Sequence, residues 1–413
     1  MKIADGSLRK LLKVYNQYRK VTKSKANKPM NMNWLETYFK GDRTIWLTVM
    51  LLSIFSILAV YSSTGTLAYK FQSGNTEYYL FKHFFILLFG FGLMYAAHLL
   101  KYTVYARVSK IAILVAIPLL VLTLAMGTNL NEASRWLTLP IVNISFQTSD
   151  LAKLALLLFV ARALSKRQDN IKDFKTAFLP IMLPVVITCG LILPANFSTA
   201  AVLFTTCVIL MIIGRIEIKY VLMLMGTGII TLALFIGIAK LVGYEGRIDT
   251  WQKRIETFMD DDGGGSYQSQ QAKIAIASGQ MFGKGPGNSS QRNYLPHPYS
   301  DFIYAIIVEE YGLVGGAFIV LLYLILFFRA IKIAQNSPRA FATFLAIGCA
   351  FSLTFQAMIN MAVTVNLFPV TGQPLPMLSM GGTSIWFTSI AIGIILSVSR
   401  DLEKEGGVKP VEA

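Results

Sequence analysis

SDFIYAIIVEEYGLVGGAFIVLLYLILFF, residues 300–328, decides the fold. A helix needs about 20 apolar residues, at about 1.5 Å each, to cross a bilayer, and this run is longer than that. Backbone groups in lipid must pair internally, so the run reads as a helix. A membrane β-barrel is excluded, because its strands alternate apolar and polar residues. Three acids nevertheless stand in this segment: Asp301 at its mouth, then Glu309 and Glu310. Ionisable groups at membrane depth are costly and point to function.

The rest of the chain agrees. Of its 413 residues 54% are hydrophobic and only 15% charged, where a soluble domain carries about a quarter. The expected fold is an all-α integral membrane protein with ten transmembrane helices, near 45–66, 78–99, 107–126, 150–165, 175–193, 198–214, 218–242, 300–328, 340–363 and 383–400. Residues 1–44 then form a basic N-terminal tail, 45–242 the first seven spans, 243–299 one large loop, 300–400 the last three spans and 401–413 a C-terminal tail.

Charge sets the orientation. The net charge is +16, and residues 1–44 hold eleven Lys/Arg against three acids, 11 − 3 = +8. A nucleic-acid-binding arm would look similar. The span that follows at once makes it a cytoplasmic tail beside anionic headgroups, without a nucleic-acid partner and without the apolar core of a cleaved leader. Lys101, Arg107, Lys166, Arg167, Arg215, Lys219, Arg329 and Lys332 follow the even-numbered spans. That places both termini in the cytoplasm and loop 243–299 on the outer face of the cytoplasmic (inner) membrane. The loop holds six basic and six acidic residues and is neutral. Ile248, Trp251, Ile255, Phe258 and Met259 fall at helical spacing, which predicts an amphipathic surface helix. DDDGGG at 260–265 reads as a break, and Tyr267–Ser278 as a second short helix. Cys189, Cys207 and Cys349 lie in apolar runs and read as buried small hydrophobes. His83, His98 and His297 are scattered, which disfavours a histidine metal centre.

Four constellations can carry chemistry. Ser300 reads as an N-cap, with Asp301 in the first helical turn at the membrane boundary. There a carboxylate suits either the helix dipole or general-base work. Glu309 and Glu310 lie about 12–13 Å deeper and point elsewhere, which suits ion pairing or cavity lining and disfavours a glycosidase-like carboxyl pair. In ASRWLTLPIVNISFQTSDLAKL, residues 133–154, Asp150 and Lys153 can pair at i,i+3, or Lys153 can join Arg135 on a diphosphate. FGKGPGNSSQRNYLP, 282–296, offers glycine N–H groups beside Lys284 to an anion, or is a plain turn. NLFPVTGQPLPMLSMGGTS, 366–384, lies in a stretch without charge between Arg339 and Arg400 and suits a re-entrant or rigid connecting loop.

These motifs resemble the SEDS family, the group of FtsW and RodA. YQSQQAKIAIASGQMFGKGPGNSSQRNYLPHPYSDFIYAIIVEEYG resembles the family's large outer loop and following helix. ASRWL with FQTSDLAKL resembles its RW and QPSELAKL elements, and NLFPVTGQPLPMLSMGGTS its LPTTGLPLPFISYGGSS loop. The family's PDLGTA becomes PANFSTA, so Asn196 stands where an acid is usual. PANFSTA and SDFIYAIIVEEYG look most like division-type FtsW of the Bacteroidetes lineage.

The resemblance implies a peptidoglycan glycosyltransferase that polymerises lipid II into glycan strands. It maps the catalytic acid to Asp301, the RW arginine to Arg135 and the LAKL lysine to Lys153. Lys284, Gln291, Arg292, Ser379, Gly381 and Gly382 are further candidate substrate contacts. Glu309, Glu310, Asp150 and Asn196 are supporting residues. A divalent cation (Mg2+ or Mn2+) could assist the leaving diphosphate. The implied partners are a class B penicillin-binding transpeptidase, other divisome proteins and membrane lipids. A lipid II flippase and a RodA-type elongation polymerase are the rival readings.

Overall fold

Eight helices among the described residues are long and apolar enough to cross a membrane. In this computed structural model the described residues are 39–126, 128–130, 133–139, 144–241, 254, 256–259 and 266–406. Helix α1 is Arg43–Ser63, short α2 is Gly65–Phe71, α3 is Thr76–Leu99 and α4 is Tyr102–Met126. Then come α5 (Thr148–Lys166), α6 (Leu179–Ile192) behind a π-turn at Phe174–Phe178, α7 (Phe197–Ile213) and α8 (Ile218–Leu241). The last four are α9 (Tyr267–Gly279), α10 (Ile303–Gln335), α11 (Ala340–Thr364) and α12 (Thr383–Gly406).

Two of the ten expected spans are not among the eight. The 198–214 run forms α7, which has only 17 residues. The 150–165 run forms α5, whose Asp150, Lys153, Arg162 and Lys166 lower its apolarity. Helix α5 packs against α4 and α11 and buries most of its residues, so protein surrounds it where lipid would surround an outer span.

The all-α expectation needs a correction. Between α4 and α5 the chain forms a three-stranded antiparallel sheet: β1 (Thr128–Leu130), β2 (Ala133–Leu139) and β3 (Ile144–Gln147). Leu137 pairs with Phe146, and Trp136 with Gln147. The alternation is only a few residues long, too short to stand out beside apolar runs of twenty.

Small residues set the helix spacing. A Cβ at Gly393 would come 2.4 Å from the Met94 carbonyl oxygen, and one at Gly90 2.8 Å from Ser389 Oγ. The α3–α12 contact therefore depends on glycine in both helices. At the other end of the bundle from Asp301, Asp42 caps α1 by accepting from Ile45 N at 3.1 Å. It also pairs with Arg329 Nη2 at 2.7 Å.

Helix α10 is broken. Gly312 has φ +71° and ψ −175°. In a regular helix Leu313 and Val314 would donate to the Glu309 and Glu310 carbonyls. Here Leu313 N donates to Gln280 O (2.9 Å) and Val314 N to Met281 O (3.2 Å). The two freed carbonyls accept from Lys284 N and Gly285 N, each at 3.0 Å. Loop 280–285 is thus spliced into the helix, and these two backbone bonds are replaced at both ends. Only glycine permits this approach: a Cβ at Gly312 would lie 2.2 Å from Met281 O, and one at Gly283 2.2 Å from Glu310 O. The helix expected over Tyr267–Ser278 forms as α9 and leads the loop in. Its Ala272 and Ala275 pack with Leu295, Phe302, Ala305 and Ile306. Of the amphipathic helix expected over 248–259, Arg254 and Glu256–Met259 are described and helical, and the remainder lies outside the described residues.

Candidate functional site

Asp301 does not sit in the first turn of α10, and Ser300 does not cap it. The helix starts at Ile303, its N-cap residue is Phe302, and that cap has no side-chain bond. Asp301 occupies the preceding turn, half-buried, with Ser300 Oγ donating to its Oδ1 at 3.0 Å. The 366–384 segment comes beside it. Gly372, at φ +65°, lies so close that a Cβ there would be 3.5 Å from Asp301 Oδ2.

Loop 372–382 is irregular backbone packed among the helices, so side chains must satisfy its carbonyls. Four helices do so. From α11, Asn360 Nδ2 donates to Gln373 O at 2.7 Å and Gln356 Nε2 to Pro374 O at 2.9 Å. From α10, Tyr323 OH donates to Pro376 O. From α1, Ser56 Oγ donates to Leu378 O at 2.8 Å, with His83 Nε2 of α3 at 2.7 Å from that hydroxyl. Ser379 Oγ accepts from Leu375 N (2.8 Å) and donates to Ser300 O (2.6 Å), tying the loop to the residue before Asp301. Asn360 Nδ2 also donates to Asp301 O at 2.8 Å. Gly381 and Gly382 carry the loop into Thr383, whose Oγ1 accepts from Gln147 N at the end of β3 (3.3 Å). Asn196 caps α7 by accepting from Thr199 N at 3.3 Å, and Gln373 Nε2 donates to Thr199 Oγ1, also at 3.3 Å. Capping needs only a side-chain oxygen, which asparagine supplies as well as aspartate.

Arg254, one of the six basic residues of loop 243–299, also comes near this site. Its Nη1 donates to Val370 O at 3.0 Å. Burial pulls its pKa down, while the negative charge of Asp301 works the other way. Burial also raises the pKa of Tyr299, with Tyr79 and Asp301 adding to the effect. A half-buried cation is thus within electrostatic reach of a half-buried carboxylate. No motif signals Arg254, because it stands 47 residues before Asp301.

Asp150 and Lys153 form the i,i+3 ion pair at 2.9 Å, and Lys153 Nζ also donates to Gln356 Oε1 at 3.1 Å. Lys153 keeps 16% side-chain exposure, and both residues line a pocket with Ser352, Gln356, Ser384 and Thr388. The Arg135 backbone lies in β2, and its side chain lies outside the described residues.

Lys284, Gln291 and Arg292 are gathered elsewhere. The 282–296 segment does hold an anion, not through the glycine N–H groups expected but through Lys284, Ser289, Ser290 and Gln291, and that anion is Glu309. Its Oε1 accepts from Lys284 Nζ (2.6 Å), Ser290 N (3.1 Å) and Ser290 Oγ (2.9 Å), and its Oε2 from Ser289 Oγ (2.5 Å) and Gln291 N (3.2 Å). Glu310 Oε1 accepts from Ser62 Oγ and from Ser289 N at 3.3 Å. Arg292 Nη1 is spent on the carbonyls of Ser62 (3.2 Å) and Gly287 (2.9 Å). The two glutamates organise loop 282–293, Glu309 through an ion pair with Lys284 and Glu310 through hydrogen bonds from Ser62 and Ser289. Among the described residues no three His, Cys, Asp or Glu side chains come together as a metal site.

Known proteins place this geometry. A family model described as "Cell cycle protein" (FTSW_RODA_SPOVE) matches residues 42–404. The chain is 34% identical over 365 residues to the stage V sporulation protein E of Bacillus subtilis, covering 86% of this chain and 95% of that one. It is 32% identical over 370 residues to the probable peptidoglycan glycosyltransferase FtsW of Trichlorobacter lovleyi, covering 88% and 94%. A solved structure described as "Structural coordination of polymerization and crosslinking by a peptidoglycan synthase complex" contains a chain with TM-score 0.66 and 24% identity, covering 87% of this chain and 98% of that one. The rod shape determining protein RodA of Thermus thermophilus gives TM-score 0.64 at 22% identity, covering 88% and 98%. With the apolar helices these matches settle the class: the chain is a membrane protein and belongs to the FtsW/RodA/SpoVE family.

Proposed function

We propose that this protein is a peptidoglycan glycosyltransferase that polymerises lipid II into glycan strands, with Asp301 as general base. The observation that carries the reading is Asp301 itself. It is a half-buried carboxylate at the mouth of α10, beside Gly372 and in the field of the Arg254 guanidinium. Asp301 takes the proton from an acceptor sugar hydroxyl as that oxygen attacks the donor's anomeric carbon. The bond from that carbon to the diphosphate breaks, and the lipid diphosphate leaves with the electron pair. Attack opposite the leaving group inverts the α-linked donor to a β-linkage. Arg254 and Lys153 are the cations placed to stabilise charge developing on the diphosphate. A divalent cation would find one protein carboxylate at Asp301 and would take its remaining ligands from phosphate oxygens and water.

With the ten spans proposed from the apolar runs, the Lys/Arg distribution puts both termini in the cytoplasm and the site on the outer face. The FtsW-named relatives support a division-type enzyme, and the PANFSTA and SDFIYAIIVEEYG segments carry its likeness to the Bacteroidetes type. Its proposed partner is a class B penicillin-binding transpeptidase, in keeping with the similar chain in a peptidoglycan synthase complex. RodA-type and sporulation-type roles are the alternatives that the other matches represent.

The test supplies labelled lipid II to the protein purified with its transpeptidase. Wild type should form polymer, and Asp301→Ala should lose it while melting at the same temperature. Because the base works only when ionised, activity should fall as pH is lowered. A flat profile from about pH 4 to 7 would remove Asp301 as base. Lipid scrambling in liposomes without polymer would identify a flippase instead.

A further inference from the structure

Among the residues gripping loop 372–382, two differ from the rest. Ser56 and Tyr323 each hold one loop carbonyl. Gln356 and Asn360 hold loop carbonyls and also reach the candidate charged groups. They stand four residues apart on α11, and so share one helix face. Gln356 uses both ends of its amide: Oε1 accepts from Lys153 Nζ at 3.1 Å, and Nε2 donates to Pro374 O at 2.9 Å. Asn360 spends both N–H groups of its amide nitrogen, on Gln373 O at 2.7 Å and Asp301 O at 2.8 Å. Gln373 and Pro374 are joined by one peptide bond. A continuous chain therefore runs from Asp150 through Lys153, Gln356, the 373–374 peptide and Asn360 to the backbone of Asp301.

We propose that Gln356 and Asn360 are a positioning pair that fixes the separation between the Lys153 ammonium and the Asp301 carboxylate. The proposal rests on the glycosyltransferase reading, in which one group serves the leaving phosphate and the other the attacking hydroxyl. The two groups come from different elements, α5 and the mouth of α10, and the bonds just described lie between them. Their spacing is set by what lies between them. Both amides are buried in α11, and three of their four bonds run to backbone carbonyls that cannot rotate away, while the fourth holds the Lys153 ammonium. Misplacement of a reacting group by an ångström costs rate more than binding. A positioning role thus predicts a loss in kcat with KM held, and the two residues should act as a unit.

The experiment compares Gln356→Met, Asn360→Ala, their double variant and Tyr323→Phe, each in the intact complex. Lipid II polymerisation kinetics are read beside amide hydrogen exchange across residues 370–382. Each α11 variant should lower kcat by about 10- to 100-fold with KM within about twofold. The double variant should be no worse than the stronger single one. Asn360→Ser, which is too short to bridge both carbonyls, should fail similarly and serves if Asn360→Ala does not fold. Tyr323→Phe loosens the loop at Pro376 without touching either charged group, and should change kcat by less than about threefold. Multiplicative losses in the double variant would overturn the pair, as would an equal kcat loss in Tyr323→Phe or a raised KM at unchanged kcat. The exchange measurement does not depend on activity. If wild type makes no polymer, the glycosyltransferase reading fails, while faster exchange in Asn360→Ala still reports the clamp. Unchanged exchange in that variant would overturn the clamp even in an active enzyme.

Discussion

Replacing the Arg254 guanidinium tests whether this cation, within electrostatic reach of Asp301, takes part in the reaction. Arg254→Ala should slow polymerisation by about a hundredfold, the size of effect seen when one donor to a developing oxyanion is removed. Arg254→Lys should recover only part of the rate, because an ammonium cannot reproduce a planar fork of donors. Initial rates at saturating lipid II, with melting temperatures matched to wild type, check both. A rate within about threefold of wild type in Arg254→Ala would confine Arg254 to holding Val370. Single residues were unevenly legible in the sequence. The ion pair of Asp150 with Lys153 was readable from spacing, because an i,i+3 pair on a helix needs no tertiary knowledge. The partner of Lys284 was not, because Glu309 lies 25 residues away and the two meet only through a folded loop. A basic residue among glycines looks the same whether its anion is a ligand or the protein's own carboxylate.

At the scale of elements the long helices were legible for a simple reason. Lipid demands apolar length and internal backbone pairing, and both are written along the chain. Helix α5 shows the limit of that rule. It carries Asp150, Lys153 and Arg162 because protein covers it, and composition cannot tell a covered helix from a short loop-bordered span. The break in α10 was invisible, since Gly312 in an apolar run also suits an ordinary span. Its role is testable. Gly312→Ala places a methyl group against Met281 and forces a left-handed φ on a residue with a Cβ. The expected cost is more than about 4 kcal/mol, seen as loss of folded protein or a large drop in melting temperature in detergent. Gly226→Ala is the control. A Cβ there meets nothing within 4 Å, and it should be neutral or slightly stabilising.

The whole molecule presents two ends. One gathers Asp301, loop 372–382 and the start of α12. The other is closed by Asp42 with Arg329, and by Arg400, which donates to His98 O at 2.6 Å and pairs with Asp401 at 2.8 Å. The proposed topology assigns the first end to the outer face. Cys189, Cys207 and Cys349 are buried and free, so a background without them can be built and single cysteines added to it. In intact cells an impermeant maleimide should label Gly287→Cys without lysis, and Asn336→Cys only after lysis. Labelling of both from outside, or of neither, would refute the orientation.

The splice at Gly312 also bears on how the molecule is assembled. Residues 280–285 leave the ribosome before Glu309–Val314, so the donors and acceptors that α10 must borrow exist before it does. If α10 forms alone, Leu313 and Val314 can bond back to Glu309 and Glu310 and make one unbroken rod. Admitting the loop afterwards would mean breaking two backbone bonds before their replacements form. Chain order lets the hairpin arrive first, so the rod need never close.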